Sequence, residues 1–232
     1  MKQQTVHQVS FFPRFFPVNC YLIEEEAGLT LIDAAMPFST KKILQVAAAI
    51  GKPITRIVLT HAHGDHVGAL DELKALHPDA PVYISDRDAR LLAGDRSLDA
   101  AENDFPIRGG VPKHVKTKPD LLIKDGDQIG SLLAIATPGH TPGSMSFLDT
   151  RNEALIVGDA MQTKGGIAVS GQMKLTFPFP ALATWNKYEA VKSVRRLLEF
   201  KPSQLAVGHG KMIDSPIKSM ETAIEKAETK LA

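Results

Sequence analysis

Short apolar runs that each stop at a polar or glycine-bearing loop set the pattern of this chain. Residues 19–24 and 29–32 flank the turn-like Glu25-Glu26-Ala27-Gly28, which predicts a β-hairpin. Ile43, Leu44, Val46, Ala47 and Ile50 recur at helical spacing, with Ser39 or Thr40 as cap and Gly51 as stop. The β-branched run at 54–60 predicts a buried strand, and 67–76 reads as a helix closed by His77-Pro78. A strand at 81–85 and a helix at 86–93 follow. Strand signals return at 131–136, 144–149, 154–157 and 205–207. Trp185, Tyr188, Val191, Val194, Leu197 and Leu198 line one face of a helix that Thr184 can cap. Ser215 and Pro216 stand in N-cap and N1 order before a final helix.

Two stretches break the pattern. Residues 94–120 are polar and weakly periodic, and 160–183 carry Gly165-Gly166 and Phe177-Pro178-Phe179-Pro180. Long loops in compact domains are often functional, so both are read as substrate-loop insertions. With no repeat, low-complexity linker or composition shift, residues 1–232 read as a single domain.

Composition narrows the class. A formal net charge of +1, with no basic run, offers no nucleic-acid footprint. No apolar stretch approaches the ~20 residues of a membrane span, and the N-terminus lacks a signal-peptide pattern. The single cysteine, Cys20, rules out an intrachain disulfide framework and reads as a buried strand residue. A reduced, cytoplasmic protein acting on a small molecule is the expectation, with a homodimer left open.

The chemistry concentrates at His61-Ala62-His63-Gly64-Asp65-His66, directly after the strand predicted at 54–60. In extended backbone His61, His63 and Asp65 share a face, whereas His66 needs a turn or a second centre. Two adjacent metal ions follow as the expectation. Three more short apolar runs end the same way, delivering His140, Asp159 and His209 beside glycines. Imidazole with carboxylate suits Zn²⁺, and less exclusively Fe, Mn or Co.

The order His-x-His-x-Asp-His, lone His, lone Asp, lone His resembles the metallo-β-lactamase-fold superfamily over essentially the whole chain. The resemblance implies an α/β (α+β) fold, a four-layer αββα sandwich of two mixed sheets with helices outside. It implies one divalent ion on His61, His63 and His140, a second on Asp65, His66 and His209, and Asp159 bridging both. Asn19 and Asp33 match early positions of the family, with Asp33 supporting the metal loop. True β-lactamases usually carry Arg at the position of His66 and Cys at that of Asp159, which argues against antibiotic hydrolysis.

The generic hydrolase branch, with the ligand set of glyoxalase II and lactonases, fits best. Two cations sharing a water lower its pKa to roughly 7, so hydroxide is available at neutral pH. The expected activity is dinuclear hydrolysis of a small ester, thioester or lactone, with Asp65 orienting the water or carrying its proton. Gln162 stands where lactonases commonly have Tyr, and only some two dozen residues follow His209, short of the helical region typical of glyoxalase II. A homoserine-lactone lactonase, a short glyoxalase II-like thioesterase, a nucleic-acid phosphodiesterase and a non-catalytic metal-binding module are the alternatives. The aromatics Phe11-Phe12 and Phe15-Phe16, with Phe177 and Phe179, have three readings: core, pocket lip or interface.

Overall fold

In the computed structural model, which describes residues 5–231, the apolar runs assemble into two six-stranded sheets. The first holds β1 (Val6–Phe11), β2 (Val18–Glu24), β3 (Leu29–Ile32), β4 (Ile54–Val58), β5 (Val82–Ser85) and β6 (Leu121–Ile123), in that spatial order. β1 to β3 are antiparallel, and β3 to β6 run parallel. The crossovers include α1 (Thr40–Ile50), α2 (Gly64–Val67), α3 (Leu70–Leu76) and α4 (Asp86–Leu92). The second sheet begins with β7 (Gln128–Ile129), β8 (Leu132–Ala136), β9 (Met145–Asp149) and β10 (Ala154–Ile156). β11 (Met161–Gln162) and β12 (Ala168–Val169) form a separate ribbon before β13 (Gln204–Ala206) and β14 (Ile213–Asp214) complete that sheet. α5 (Phe179–Ala183), α6 (Lys187–Leu197) and α7 (Ile217–Thr229) complete the elements.

Three apolar clusters fill the three spaces between four layers. Alternation along β2 shows how: Val18, Cys20 and Leu22 face Ile43, Leu70 and Leu91 of the first helical layer. Tyr21 and Ile23 face the opposite way, onto Phe147, Leu132 and Ile156 of the second sheet. Beyond that sheet, Leu155 and Leu205 pack on Val194, Leu197, Met220 and Ile224 of α6 and α7. The architecture is the αββα sandwich of two mixed sheets. No helix among the described residues is long and apolar enough to cross a membrane.

Several local expectations shift. Residues 6–11, unassigned by pattern, add the edge strand β1, whose partner β2 supplies the sheet register. The helix expected at 67–76 breaks at Gly68, where the chain runs against the 35–37 loop. The Gly68 amide donates to the Ala35 carbonyl at 2.7 Å, and a Cβ there would lie 2.6 Å from Pro37. Asn186, not Thr184, caps α6, accepting from the Tyr188 and Glu189 amides. The 160–183 stretch is more ordered than read, containing the β11–β12 ribbon and α5, whereas 94–120 holds no helix or strand. Three cations of α6 are paired, Arg195 with Glu228, Arg196 with Asp125 and Lys192 with Glu189.

Strand direction places the chemistry. β8 and β10 each run antiparallel to β9, so they share a direction, and β13 is parallel to β10. The carboxyl ends of β3, β4, β8, β10 and β13 therefore deliver Asp33, the 61–66 loop, His140, Asp159 and His209 to one edge of the sandwich.

Candidate metal centre

All seven residues singled out by sequence meet at that edge. Ligand atoms of His61, His63 and His140 lie within 4.8 Å of one another, as do those of Asp65, His66 and His209, and those of His61, His66 and Asp159. Asp159 stands between the groups: its Oδ1 is 3.3 Å from His66 Nε2, and its Oδ2 is 3.4 Å from His140 Nε2 and 3.0 Å from His209 Nε2. The turn that His66 required is α2, which begins right after His63. Six of the seven side chains are buried, and Asp65 is partly exposed, its Oδ2 3.5 Å from His209 Nε2.

Each imidazole is held from outside by an acceptor, which turns its other nitrogen inward. His63 Nε2 donates to the Arg108 carbonyl at 3.0 Å, leaving Nδ1 facing His140 Nε2 at 2.9 Å. His66 Nδ1 donates to Asp33 Oδ2 at 2.8 Å, and His209 Nδ1 to the Pro17 carbonyl at 2.6 Å. His140 Nδ1 donates to Ser170 Oγ at 2.9 Å; Ser170 pairs with Thr184, whose hydroxyl ends on the Pro180 carbonyl. His61 Nδ1 lies 3.0 Å from Thr60 Oγ1, whose own proton goes to Asp33 Oδ2 at 2.8 Å. An outer acceptor of this kind fixes the tautomer and raises the basicity of the inner nitrogen.

The inward atoms fit a cation. His61 Nε2, His66 Nε2 and Asp159 Oδ1 are buried and have no hydrogen-bond partner in the protein. Unpaired buried polar atoms are costly, and three converging within one group suit the donor set of a metal site. The carboxylate also sets the local electrostatics. Burial pushes His61 well below the ordinary imidazole value, with the His66, His63 and His140 rings acting in the same direction. It likewise lowers His63 and His140, although carboxylates oppose it. At His66 and His209 burial is the largest single effect but is outweighed by carboxylates together, Asp159 with Asp33 and Asp65 at His66 and Asp159 with Asp65 at His209, so both rings are raised. Burial alone would raise Asp159, but the same two rings hold it well below the usual carboxylate range. Gly208 is demanded by closeness: a Cβ there would strike Asp159 Oδ1 and lie 2.7 Å from His66 Cε1.

Asp33, matched by resemblance, does bond to Thr60 and His66, whereas Asp88 was missed. This buried carboxylate on α4 joins the 61–66 loop to the 140–143 loop. Its Oδ2 accepts from the Ala62 amide at 2.9 Å and the Thr141 hydroxyl at 2.8 Å, and its Oδ1 from the Gly143 amide at 2.9 Å. The available signal was helical spacing, which puts Asp88 on one face with Leu91 and Leu92. Asn19, matched by resemblance, ties β2 to the His209 loop by donating to the Val207 and Gly210 carbonyls, each at 2.8 Å.

A cleft of about 420 Å³ opens over these groups. His63, Asp65, His140, Asp159 and His209 reach it, and Phe16, Met36, Gly109, Gly110, Phe179, Pro180, Leu182 and Ala183 wall it. Both irregular stretches thus border the site. The N-terminal aromatics divide: Phe11 joins the core, Phe16 packs against Phe177, Phe179 and His209, and Phe12 and Phe15 are exposed. Phe177 is buried, so only Phe16 and Phe179 form a lip.

This sandwich with histidines and aspartates at its sheet edge defines a metallo-hydrolase scaffold. The sequence profile of the Metallo-beta-lactamase superfamily matches residues 13–209, and the chain belongs to that superfamily. It is 62% identical to "Uncharacterized protein YobT" of Bacillus subtilis over 225 residues, 97% of each chain. It is 32% identical to "Probable metallo-hydrolase YflN" of the same organism, covering 83% of this chain and 80% of that one. Among solved structures, TTHA1623 in a di-iron-bound form superposes with a TM-score of 0.66 at 27% identity, covering 92% of this chain and 96% of the other.

Proposed function

We propose that the protein is a metal-dependent hydrolase that holds two divalent ions and cleaves small ester, thioester or lactone substrates. His61, His63 and His140 would hold one ion, Asp65, His66 and His209 the other, and Asp159 both. The observation that carries this reading is the set of five imidazoles, each braced from outside and turned inward around Asp159 beneath an open cleft. Ions bound there supply Lewis-acid polarisation of a carbonyl and a lowered pKa for water.

The chain's own groups do the rest. Asp65, the one partly exposed carboxylate of the set, accepts a proton at Oδ and returns it to the leaving oxygen or sulfur. Phe16, Phe179 and Leu182 shield the reacting carbonyl from bulk water and receive an apolar group. Among the described residues no Lys or Arg lines this cleft, which favours a neutral carbonyl over a phosphodiester. An all-nitrogen-and-oxygen donor set supports zinc first, and the di-iron form of a structural relative is reason to assay iron beside it.

Elemental analysis after expression in metal-supplemented medium is expected to give about two transition-metal ions per chain, and fewer than one would overturn the dinuclear reading. Ester, thioester and lactone probes should be hydrolysed, with activity lost to a chelator and restored by divalent ions. His63→Ala and Asp159→Ala should each abolish turnover through loss of metal. Full activity in either variant refutes the site.

A further inference from the structure

A second cleft of about 340 Å³ lies beside the first and shares its wall. Leu182 lines both, and the 105–110 loop contributes Gly109 and Gly110 to one and Phe105 and Arg108 to the other. The two are mechanically joined through the candidate ligands. The Arg108 carbonyl accepts from His63, and the Trp185 amide donates to the His140 carbonyl at 2.9 Å. Trp185 Nε1 closes the wall by donating to the Phe105 carbonyl at 2.9 Å. Phe105, Met173 and Trp185 make the second cleft apolar, while Arg108 and Lys187 lie at it as exposed cations. Among the described residues no acidic residue lines it and neither cation has a salt-bridge partner; the Lys187 ammonium lies over the Tyr188 ring, 5.4 Å from its centroid.

We infer that this second cleft is a substrate subsite for an acyl arm that ends in a carboxylate. The inference rests on the hydrolase reading and names its substrate class: an ester or thioester of a dicarboxylic acid. The scissile carbonyl lies at the metal centre, the methylene chain crosses Leu182 onto Trp185, and the distal carboxylate pairs with Arg108 and Lys187. A neutral acyl chain fits the apolar surface but leaves both cations without an anion. Hydrolysis consumes one water and releases the free dicarboxylate and the alcohol or thiol, so the step balances without a further reactant.

Trp185 is the chain's single tryptophan, so occupancy of the second cleft reads out in intrinsic fluorescence whether or not turnover occurs. Titration of the metal-loaded protein with suberate should change the emission saturably, more weakly as salt rises. Arg108→Ala and Lys187→Ala should each weaken that binding about tenfold, whereas Lys218→Ala on α7 should not. In kinetics, aryl hemi-suberate should exceed its methyl-capped diester in kcat/KM by about tenfold, each measured relative to aryl acetate in the same variant. Arg108→Ala should bring that ratio close to one. A suberate titration indifferent to both substitutions, or a ratio near one in the parent protein, overturns the subsite. Failure to hydrolyse any ester while suberate still titrates Trp185 would instead sink the hydrolase reading alone.

Discussion

Asp88→Asn tests how the two loops that carry the candidate ligands are tied together. The substitution keeps an oxygen for the Ala62 amide and the Thr141 hydroxyl, which both bond to Oδ2, and turns an NH₂ toward the Gly143 amide. The Gly143 amide and the new NH₂ then face each other as two buried donors without an acceptor, each costing about 1–3 kcal/mol. Asp88→Ala strands both amides, since Thr141 can turn to Ser144 Oγ at 2.7 Å, and should cost about 2–6 kcal/mol. Charge adds a pH dependence. Burial, only partly offset by hydrogen bonds from Thr141, Ala62 and Gly143, lifts the Asp88 carboxyl from 3.8 to about 6. A raised carboxyl stabilises the fold most below its unfolded pKa, and that contribution is lost as pH rises through the folded value. In chelator-treated protein the full loss, from below pH 3 to above pH 7, amounts to roughly 3 kcal/mol, about two pKa units at 1.36 kcal/mol each, and most of it falls between pH 4 and pH 7. Asparagine has no such term. Urea denaturation of both proteins from pH 4.5 to 7.5 should show the parent advantage over Asp88→Asn shrinking as pH rises. Parallel stability curves would refute the assignment of a buried, ionising carboxylate to this position.

Other perturbations separate support from contact. Asp33→Ala removes the acceptor that orients His66 and holds Thr60, so affinity for the second ion should fall about 10–100-fold by competition with a chromophoric chelator; unchanged affinity would exclude the orienting role. Gly208→Ala drives a methyl into Asp159 and His66, and should cut bound metal per chain below that of the parent, which elemental analysis checks directly. Phe16→Ala should raise KM for long-chain acyl esters without loss of metal, while the exposed Phe15→Ala leaves chain-length preference untouched; equal effects would move the lip away from Phe16.

Much of the site was legible because its ligands are delivered locally. Each follows a short apolar strand, and hydrophobic pattern identifies such strands well, so His61, His63, His140, Asp159 and His209 stand out before any coordinates. The helical break at Gly68 and the cap at Asn186 were not legible. Both depend on what the chain meets in space, the 35–37 loop in one case and the 139–140 backbone in the other, where Asn186 N donates to the Gly139 carbonyl. Asp88 escaped because a carboxylate at helical spacing looks like any solvated acid until its three donors, from residues 62, 141 and 143, are in place.

By itself the sequence marked the candidate ligands and their place at strand ends, and it carried the αββα layering only through its resemblance to the superfamily. Side-chain identity and hydrophobic period are local properties, written residue by residue. Tertiary structure alone decided how each imidazole is aimed. The acceptors that turn His63 and His209 inward are the backbone carbonyls of Arg108 and Pro17, 45 and 192 residues away. Every residue carries a carbonyl, so no composition marks those two; only the packing of two sheets and their loops brings them to the rings.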